Sequence, residues 1–274
     1  MIEPVDRTRR QLPFSLRVLR RLPLPRKLGM LERLFGTRLQ DLGVCWVEAA
    51  NGVGWKLDLR DVTQRWIVYG DYEGSRQMSW IRRWLAEGGV VIDSGANIGQ
   101  MVLYVGPMTG VKIHAFEPLD TAYEWLRECV ECYPDWRVKM LPFGLSDGVE
   151  ELPLQVAGAQ STTRLDWYQG KTLQQKRASF VTLDGYLRAE GIRRVRLWKL
   201  DVEGAELKAL KGAGTALREQ AIEAVLVEVT QYQAVRDFLD LCGYGLCRLD
   251  GSGGLVSVDG AGTAGGNLVA VPRR

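Results

Sequence analysis

Apolar residues change period several times along the chain, and those changes outline its elements. Leu12, Leu16 and Leu19 recur at helical spacing with Arg17, Arg20 and Arg21 between them, which predicts a short basic amphipathic helix ended by Pro23 and Pro25. Val44 to Ala49 and Val53 to Leu59 are β-rich runs on either side of Asn51-Gly52, a pair that tolerates positive φ and so predicts a hairpin. Met78, Ile81, Trp84 and Leu85 resume the helical period until Gly88-Gly89 stops it. Strand and helix then alternate. Strands are predicted at 90–93, 112–116, 138–141, 195–200 and 224–229, and helices from Asn97 and over 122–132, 205–210 and 234–241. Such βαβ repetition implies a mainly parallel sheet with helices on both faces. Runs at 245–249, 255–258 and 267–271 have no helix between them, so a C-terminal antiparallel hairpin joins the sheet. Residues 148 to 180 show no clear period and read as an irregular insertion over the sheet edge. Two regions follow: a basic N-terminal arm with a small β element over 1–60, and an α/β domain over 61–274.

Composition narrows the class. With 274 residues, 46% of them hydrophobic, the chain can bury a substantial core. No run approaches the ~20 apolar residues that cross a bilayer, and the opening lacks an apolar export core, so a cytoplasmic location is expected. Residues 1–40 carry a net charge of +7 and the remainder −4. A slightly negative body lacks the field that gathers a polyphosphate, which argues against nucleic acid as substrate. The basic arm fits peripheral contact with a membrane surface or an acidic partner, or else a surface helix packed on the domain. Cys45, Cys129, Cys132, Cys242 and Cys247 are expected as free thiols. The spacing of Cys129-x-x-Cys132 and Cys242 to Cys247 is a poor zinc pattern, and Cys129 lies at the edge of an apolar stripe.

The first βα turn of the domain reads Val91-Ile92-Asp93-Ser94-Gly95-Ala96-Asn97-Ile98-Gly99. An apolar strand ends in an acid, and a glycine-bearing turn opens a helix, which allows a ligand to approach the backbone at Gly95. A dinucleotide fingerprint needs a further glycine where Ala96 and Asn97 stand. Asp93 would repel a pyrophosphate and suit a cationic aminoacyl end. Glu117, after the second strand, is placed to accept hydrogen bonds from ribose hydroxyls. Ser146-Asp147, after the third strand, is placed for an adenine amino group, although Asp147 also reads as an ordinary turn residue. Two acids and a glycine turn describe S-adenosylmethionine better than a nicotinamide dinucleotide.

Three segments, Asp93 to Gly99, Phe116-Glu117-Pro118, and Leu197-Trp198-Lys199-Leu200-Asp201-Val202-Glu203-Gly204-Ala205-Glu206, together resemble the FkbM-type S-adenosylmethionine-dependent methyltransferases. The resemblance runs from about Tyr72-Glu73 to the last strand. It implies a Rossmann-like class I methyltransferase fold with a seven-stranded, mainly parallel sheet, and O-methylation of a hydroxyl on a sugar, glycan or secondary metabolite. It also implies a cofactor pocket that Tyr72 and Glu73 face and that the Asp93–Gly99 turn lines. Two departures stand out: Ser94 where valine is more usual, and Trp198 in an otherwise aliphatic strand.

Lys199 and Asp201 alternate onto one face of the fourth strand, and Asp201 emerges at its carboxyl edge beside the cofactor turn. Glu203 follows, Gly204 gives the backbone room, and Glu206 suits a helix N-terminus with Lys199 as counter-ion. The only histidine, His114, lies inside a strand and reads as a packed residue. Asp201 or Glu203 is therefore the candidate base, with Lys199 holding the carboxylates or stabilising developing charge. Alternatively, Asp201, Glu203 and Glu228 share a divalent cation for which Lys199 would compete. Ser161-Thr162 are candidates for lining the acceptor cleft. The rival readings are a nicotinamide-dependent oxidoreductase and a non-catalytic nucleoside-binding protein.

Overall fold

The structure is a computed structural model and describes residues 9–157, 160–162, 174–258 and 266–273. The chain divides into two compact units, Met1–Ile81 and Arg82–Arg274.

The first unit contains α1 (Phe14–Leu19), α2 (Lys27–Gln40), the hairpin β1 (Val44–Glu48) and β2 (Gly54–Asp58), α3 (Val62–Tyr69) and the start of α4 (Arg76–Trp84). Position 60 thus lies inside this unit. The hairpin forms where Asn51-Gly52 predicts it: Val44 pairs with Asp58 and Glu48 with Gly54, Gly52 has φ 86°, and Val53 N donates to Asn51 Oδ1 at 3.2 Å. Leu12 and Leu16 join Leu31, Leu39, Trp55 and Ile67 among the buried residues. Arg20, read in the sequence as part of a basic face, is instead buried at 3% exposure. Its Nη1 donates to the carbonyls of Glu48 (2.9 Å) and Val68 (3.3 Å), and its Nη2 to the Glu48 carboxylate at 2.6 Å. Arg65 is held the same way, by Glu32 Oε1 at 2.6 Å and the Leu59 carbonyl at 2.7 Å. α2 is absent from the sequence reading because Gly29 and Gly36 weaken its helical signal. Gly36 leaves room for the Glu32 carboxylate, which a Cβ there would overlap.

The second unit alternates β3 (Gly89–Ser94), α5 (Gln100–Val105), β4 (Val111–Phe116), α6 (Asp120–Val130) and β5 (Val138–Leu141). After an insertion come α7 (Leu183–Ala189), β10 (Leu197–Leu200), α8 (Glu206–Lys211), α9 (Gly214–Arg218), β11 (Val225–Val229), α10 (Tyr232–Leu241), β12 (Tyr244–Leu249), β13 (Leu255–Ser257) and β14 (Gly266–Pro272). One eight-stranded sheet runs β13-β12-β14-β11-β10-β3-β4-β5. From β11 to β5 neighbours are parallel, whereas β14 is antiparallel to both β11 and β12. The sheet thus has eight strands where the resemblance implies seven, and the run read at 255–258 is the short edge strand β13. Strand order reverses between β3 and β10, the switch point at whose carboxyl edge open α/β sheets bind ligands.

The described residues between 148 and 180 are largely strand rather than irregular, and 158–159 and 163–173 lie outside the described residues. β6 (Gly144–Leu145), β7 (Glu150–Ala157), β8 (Gln160–Thr162) and β9 (Gln174–Val181) form a second sheet in the order β6-β9-β7-β8. Its Leu154, Ala178 and Phe180 make a small separate core. So small an apolar set, shared among charged and polar neighbours, leaves little period to read. Ser161 and Thr162 lie on β8, their side chains outside the described residues. All five cysteines are free, with Cys129 and Cys242 buried. His114 is fully buried, its Nδ1 2.5 Å from the Tyr186 hydroxyl, and burial lowers its pKa to about 4.

Candidate active site

The strand register brings two distant motifs together. β3 and β10 are parallel neighbours with Asp93 opposite Lys199 and Ser94 opposite Leu200. Lys199 Nζ accordingly lies 3.1 Å from Asp201 Oδ2 and 3.5 Å from Asp93 Oδ1. Asp93 is fully buried, and beyond the Lys199 ammonium neither carboxylate oxygen has a hydrogen-bond partner among the described residues. Burial pushes its pKa up, against the pull of Lys199.

The turn after β3 is pinned to β4: Gly95 N and Ala96 N both donate to the Phe116 carbonyl, at 3.1 and 3.0 Å. Gly95 (φ 74°), Asn97 (φ 50°) and Gly99 (φ 86°) all adopt left-handed backbone, and Asn97 does so without being glycine. Glu117, at the end of β4, accepts from Asn97 N at 2.7 Å and Leu119 N at 2.8 Å. It is 4% exposed, and burial pushes its pKa to about 7 despite those two bonds. Ile98 and Gly99 are buried in the same turn, and Asn97 Oδ1 is buried without a partner. The lack of a side chain at Gly95 serves the protein's own packing, because a Cβ there would overlap the Asp201 carbonyl oxygen of the loop after β10.

That loop is tightly built. Asp201 N donates to the Ser94 carbonyl at 3.2 Å, Glu203 has φ 50° and Gly204 φ 95°. A non-glycine residue held there costs about 1–3 kcal/mol, a strain that concentrates at functional sites. Glu206 is fully buried. One oxygen accepts from Gly204 N at 2.8 Å and the other from Thr230 Oγ1 at 2.6 Å. Its expected counter-ion is a correction: Lys199 pairs with Asp93 and Asp201 instead, and Glu206 closes the loop onto the end of β11. Glu228 follows Val227, the partner of Leu200, and so stands next to Asp201. Burial opposes charge on Asp201, but Lys199 and a hydrogen bond from Glu228 outweigh it and hold its pKa below the ordinary value. Burial and the charge of Asp201 push Glu228 upward. The two carboxyls therefore titrate as a pair in which ionisation favours Asp201.

Two connections escaped the sequence reading. Trp198 Nε1 donates to Ser94 Oγ at 2.8 Å in the buried interior, so the polar residue ending β3 and the tryptophan of β10 meet across adjacent strands. No local signal announces a partner 104 residues away. Ser146 is buried and donates to Glu150 Oε1 at 2.6 Å, with exposed Asp147 beside it. Tyr72 and Glu73 lie in the turn ahead of α4, in the first unit, where Ser75 Oγ donates to the Tyr72 carbonyl at 2.7 Å.

S-adenosylmethionine fits the donor set at the β3 edge. The unsatisfied Asp93 oxygens suit an ammonium, Asn97 Oδ1 is a spare acceptor, and each Glu117 oxygen keeps a lone pair for a ribose hydroxyl. Among the described residues no group of three or more histidine, cysteine, aspartate or glutamate side chains is arranged to hold a metal ion, and the Lys199 ammonium already occupies the side of Asp201.

Residues 93–246 match the family described as the methyltransferase FkbM domain. Methyltransferase sdnD of Sordaria araneosa is 29% identical over 177 residues, which cover 53% of this chain and 68% of that protein. Among solved structures, an rRNA methylase of Streptococcus thermophilus is 11% identical with a TM-score of 0.39, covering 71% of this chain and 91% of its own. M. jannaschii TYW2, solved with AdoMet, is 12% identical with a TM-score of 0.44, covering 83% and 84%. At such scores neither structure bears on what this chain methylates.

Proposed function

Residues 93–246 are more than half of the chain, so it belongs to the FkbM methyltransferase family, and we propose that it is an O-methyltransferase acting on a hydroxyl of a sugar, glycan or secondary metabolite. Family membership makes it an S-adenosylmethionine-dependent methyltransferase and retires the nicotinamide reading. The observation that carries the finer reading is the Lys199 bridge between Asp93 and Asp201, which holds an ionised carboxylate against the cofactor turn.

When bound, S-adenosylmethionine supplies an electrophilic methyl group and leaves as a neutral thioether. On the proposed assignment, Asp93, Gly95, Asn97, Ile98, Gly99 and Glu117 hold it, with Ser146 and Asp147 completing the nucleoside contacts. Methyl transfer to a neutral oxygen needs alignment above all, worth about 7–11 kcal/mol in well-oriented systems. The acceptor's proton must also leave. Asp201 or Glu203 takes it as the acceptor's O–H bond breaks, and Lys199 keeps Asp201 ionised beforehand. A carboxylate base suits this edge because the one histidine is buried and bonded to Tyr186. Asp201-Val202-Glu203-Gly204 also lacks the Asn/Asp-Pro-Pro-aromatic pattern common in amine-methylating sites, which supports oxygen as the acceptor atom.

Asp201→Asn and Glu203→Gln test the proposal. At least one should lower turnover by about 10²- to 10⁴-fold while S-adenosylhomocysteine affinity stays near wild type. Near-normal turnover in both would remove the carboxylate base. A mass-increase screen against glycans and small hydroxylated metabolites names the acceptor; methylation of amines alone would overturn O-transfer.

A further inference from the structure

Eleven large apolar side chains are exposed among the described residues, and eight of them lie in the first unit. Scattered exposure of this kind is ordinary, but α1 concentrates it on one face. Leu12, Leu16 and Arg20 point inward, at 4%, 0% and 3% exposure, whereas Phe14 is 73% exposed, Val18 43% and Leu22 41%. Two leucines of the stripe visible in the sequence, Leu12 and Leu16, are therefore spent on the unit's core. The outward face of α1 carries Phe14, Arg17 and Val18, at the i, i+3, i+4 spacing of a helix surface, and the turn that follows adds exposed Arg21 and Leu22. Arg17 reaches back toward Phe14, its guanidinium carbon 5.8 Å from the ring centroid.

A solvated helix face would place polar residues at positions 14 and 18. Charge selects what covers this one. From Arg9 to Leu31 the chain holds seven basic residues and no acidic one, and of the seven Arg20 alone is buried. A second copy of the chain would bring the same positive charge against it. An anionic lipid surface satisfies both features at once, since the apolar side chains enter the acyl boundary while the guanidinium groups stay among phosphates and carboxylates.

We propose that the outward face of α1, Phe14, Arg17 and Val18, together with Arg21 and Leu22 of the turn after it, docks the protein on an anionic phospholipid bilayer. Contact through one short helix is reversible, so the protein partitions rather than anchors. The experiment is co-sedimentation of the full chain with vesicles of phosphatidylcholine alone and of phosphatidylcholine mixed with phosphatidylserine, at low and high salt. Binding is expected to the mixed vesicles, weakening with salt, and falling by roughly tenfold or more in Arg17→Gln/Arg21→Gln. Phe14→Ser/Val18→Ser should weaken it comparably, and both double variants should melt at the wild-type temperature because all four side chains are exposed. Equal binding to neutral vesicles, or undiminished binding by both variants, would overturn the proposal. So would a wild-type dimer that Phe14→Ser/Val18→Ser disperses with no vesicle binding by either protein. None of these readouts involves methyl transfer, so failure here leaves the proposed reaction standing, and the reverse.

Discussion

Arg20 and Arg65 in the first unit are buried about as deeply as Asp93 and Glu117 in the second, at 3%, 6%, 0% and 4% exposure, but their partners differ in kind. Each arginine spends both Nη groups on a carboxylate and backbone carbonyls. Asp93 has only the Lys199 ammonium, 3.5 Å from Oδ1, and Glu117 is held by two amides yet still pushed toward the neutral form. A buried charge whose bonds are made stabilises the fold that makes them. A buried charge left short is costly until something else arrives, and both such groups end adjacent strands at the same sheet edge.

Paired substitutions should separate these cases. Arg65→Met leaves Glu32 and the Leu59 carbonyl without their donor, and is expected to lower unfolding free energy by about 2–4 kcal/mol, the upper part of the range being reduced because Glu32 is partly solvated. S-adenosylhomocysteine affinity in the folded fraction should not change. Asp93→Asn should do the opposite: stability held or raised, and cofactor affinity down by roughly tenfold to a hundredfold. Denaturant melts and titration calorimetry on both variants read the contrast. A large stability loss in Asp93→Asn with intact affinity would make Asp93 a structural residue like the arginines.

Those two kinds of buried charge were not equally visible in the sequence. Asp93, Glu117 and Lys199 to Glu206 could be read because each lies in a short contiguous motif at a strand end, and the order of βαβ units places those ends side by side. Arg20 looked like surface because its neighbours Arg17 and Arg21 are, and only the packing of α1 turns it inward. The second sheet around β7 and β9 was missed for want of a core large enough to impose a period. Gly95 was legible as a special backbone position, but not as the one that admits the Asp201 carbonyl.

Protonation sharpens the comparison further. Glu117 titrates at about 7 in the folded protein against an ordinary 4.5. Between those values the folded state binds more protons than the unfolded one, so this group makes stability fall as pH rises through the window. Ribose hydroxyls donating to the carboxylate would favour its ionised form. Affinity for S-adenosylhomocysteine should accordingly rise by up to about tenfold per pH unit approaching neutrality and level off above it. Glu228 is also pushed upward, so Glu228→Gln is the control: the affinity profile should persist in it. A profile that is flat in the wild type, or abolished by Glu228→Gln, would take Glu117 out of the nucleoside contact.

The smallest expected effect concerns the Ser94–Trp198 pair. Ser94 directly precedes Gly95 and lies beside Asp93, and its hydroxyl is the acceptor for the buried Trp198 indole N–H. Were the bond merely filling a packing defect, Ser94→Ala would cost about 1–3 kcal/mol of stability for an orphaned indole donor and nothing in kinetics. If it also fixes the turn, Ser94→Ala should raise KM for S-adenosylmethionine by a few fold with kcat little changed, an effect of about 1 kcal/mol or less. Trp198→Phe, which removes the donor instead of the acceptor, should reproduce that KM shift. Combining the two should add little to either, because each already breaks the same bond. Additive losses in the double variant would mean that the serine and the tryptophan act independently, and that their meeting between β3 and β10 carries no functional coupling.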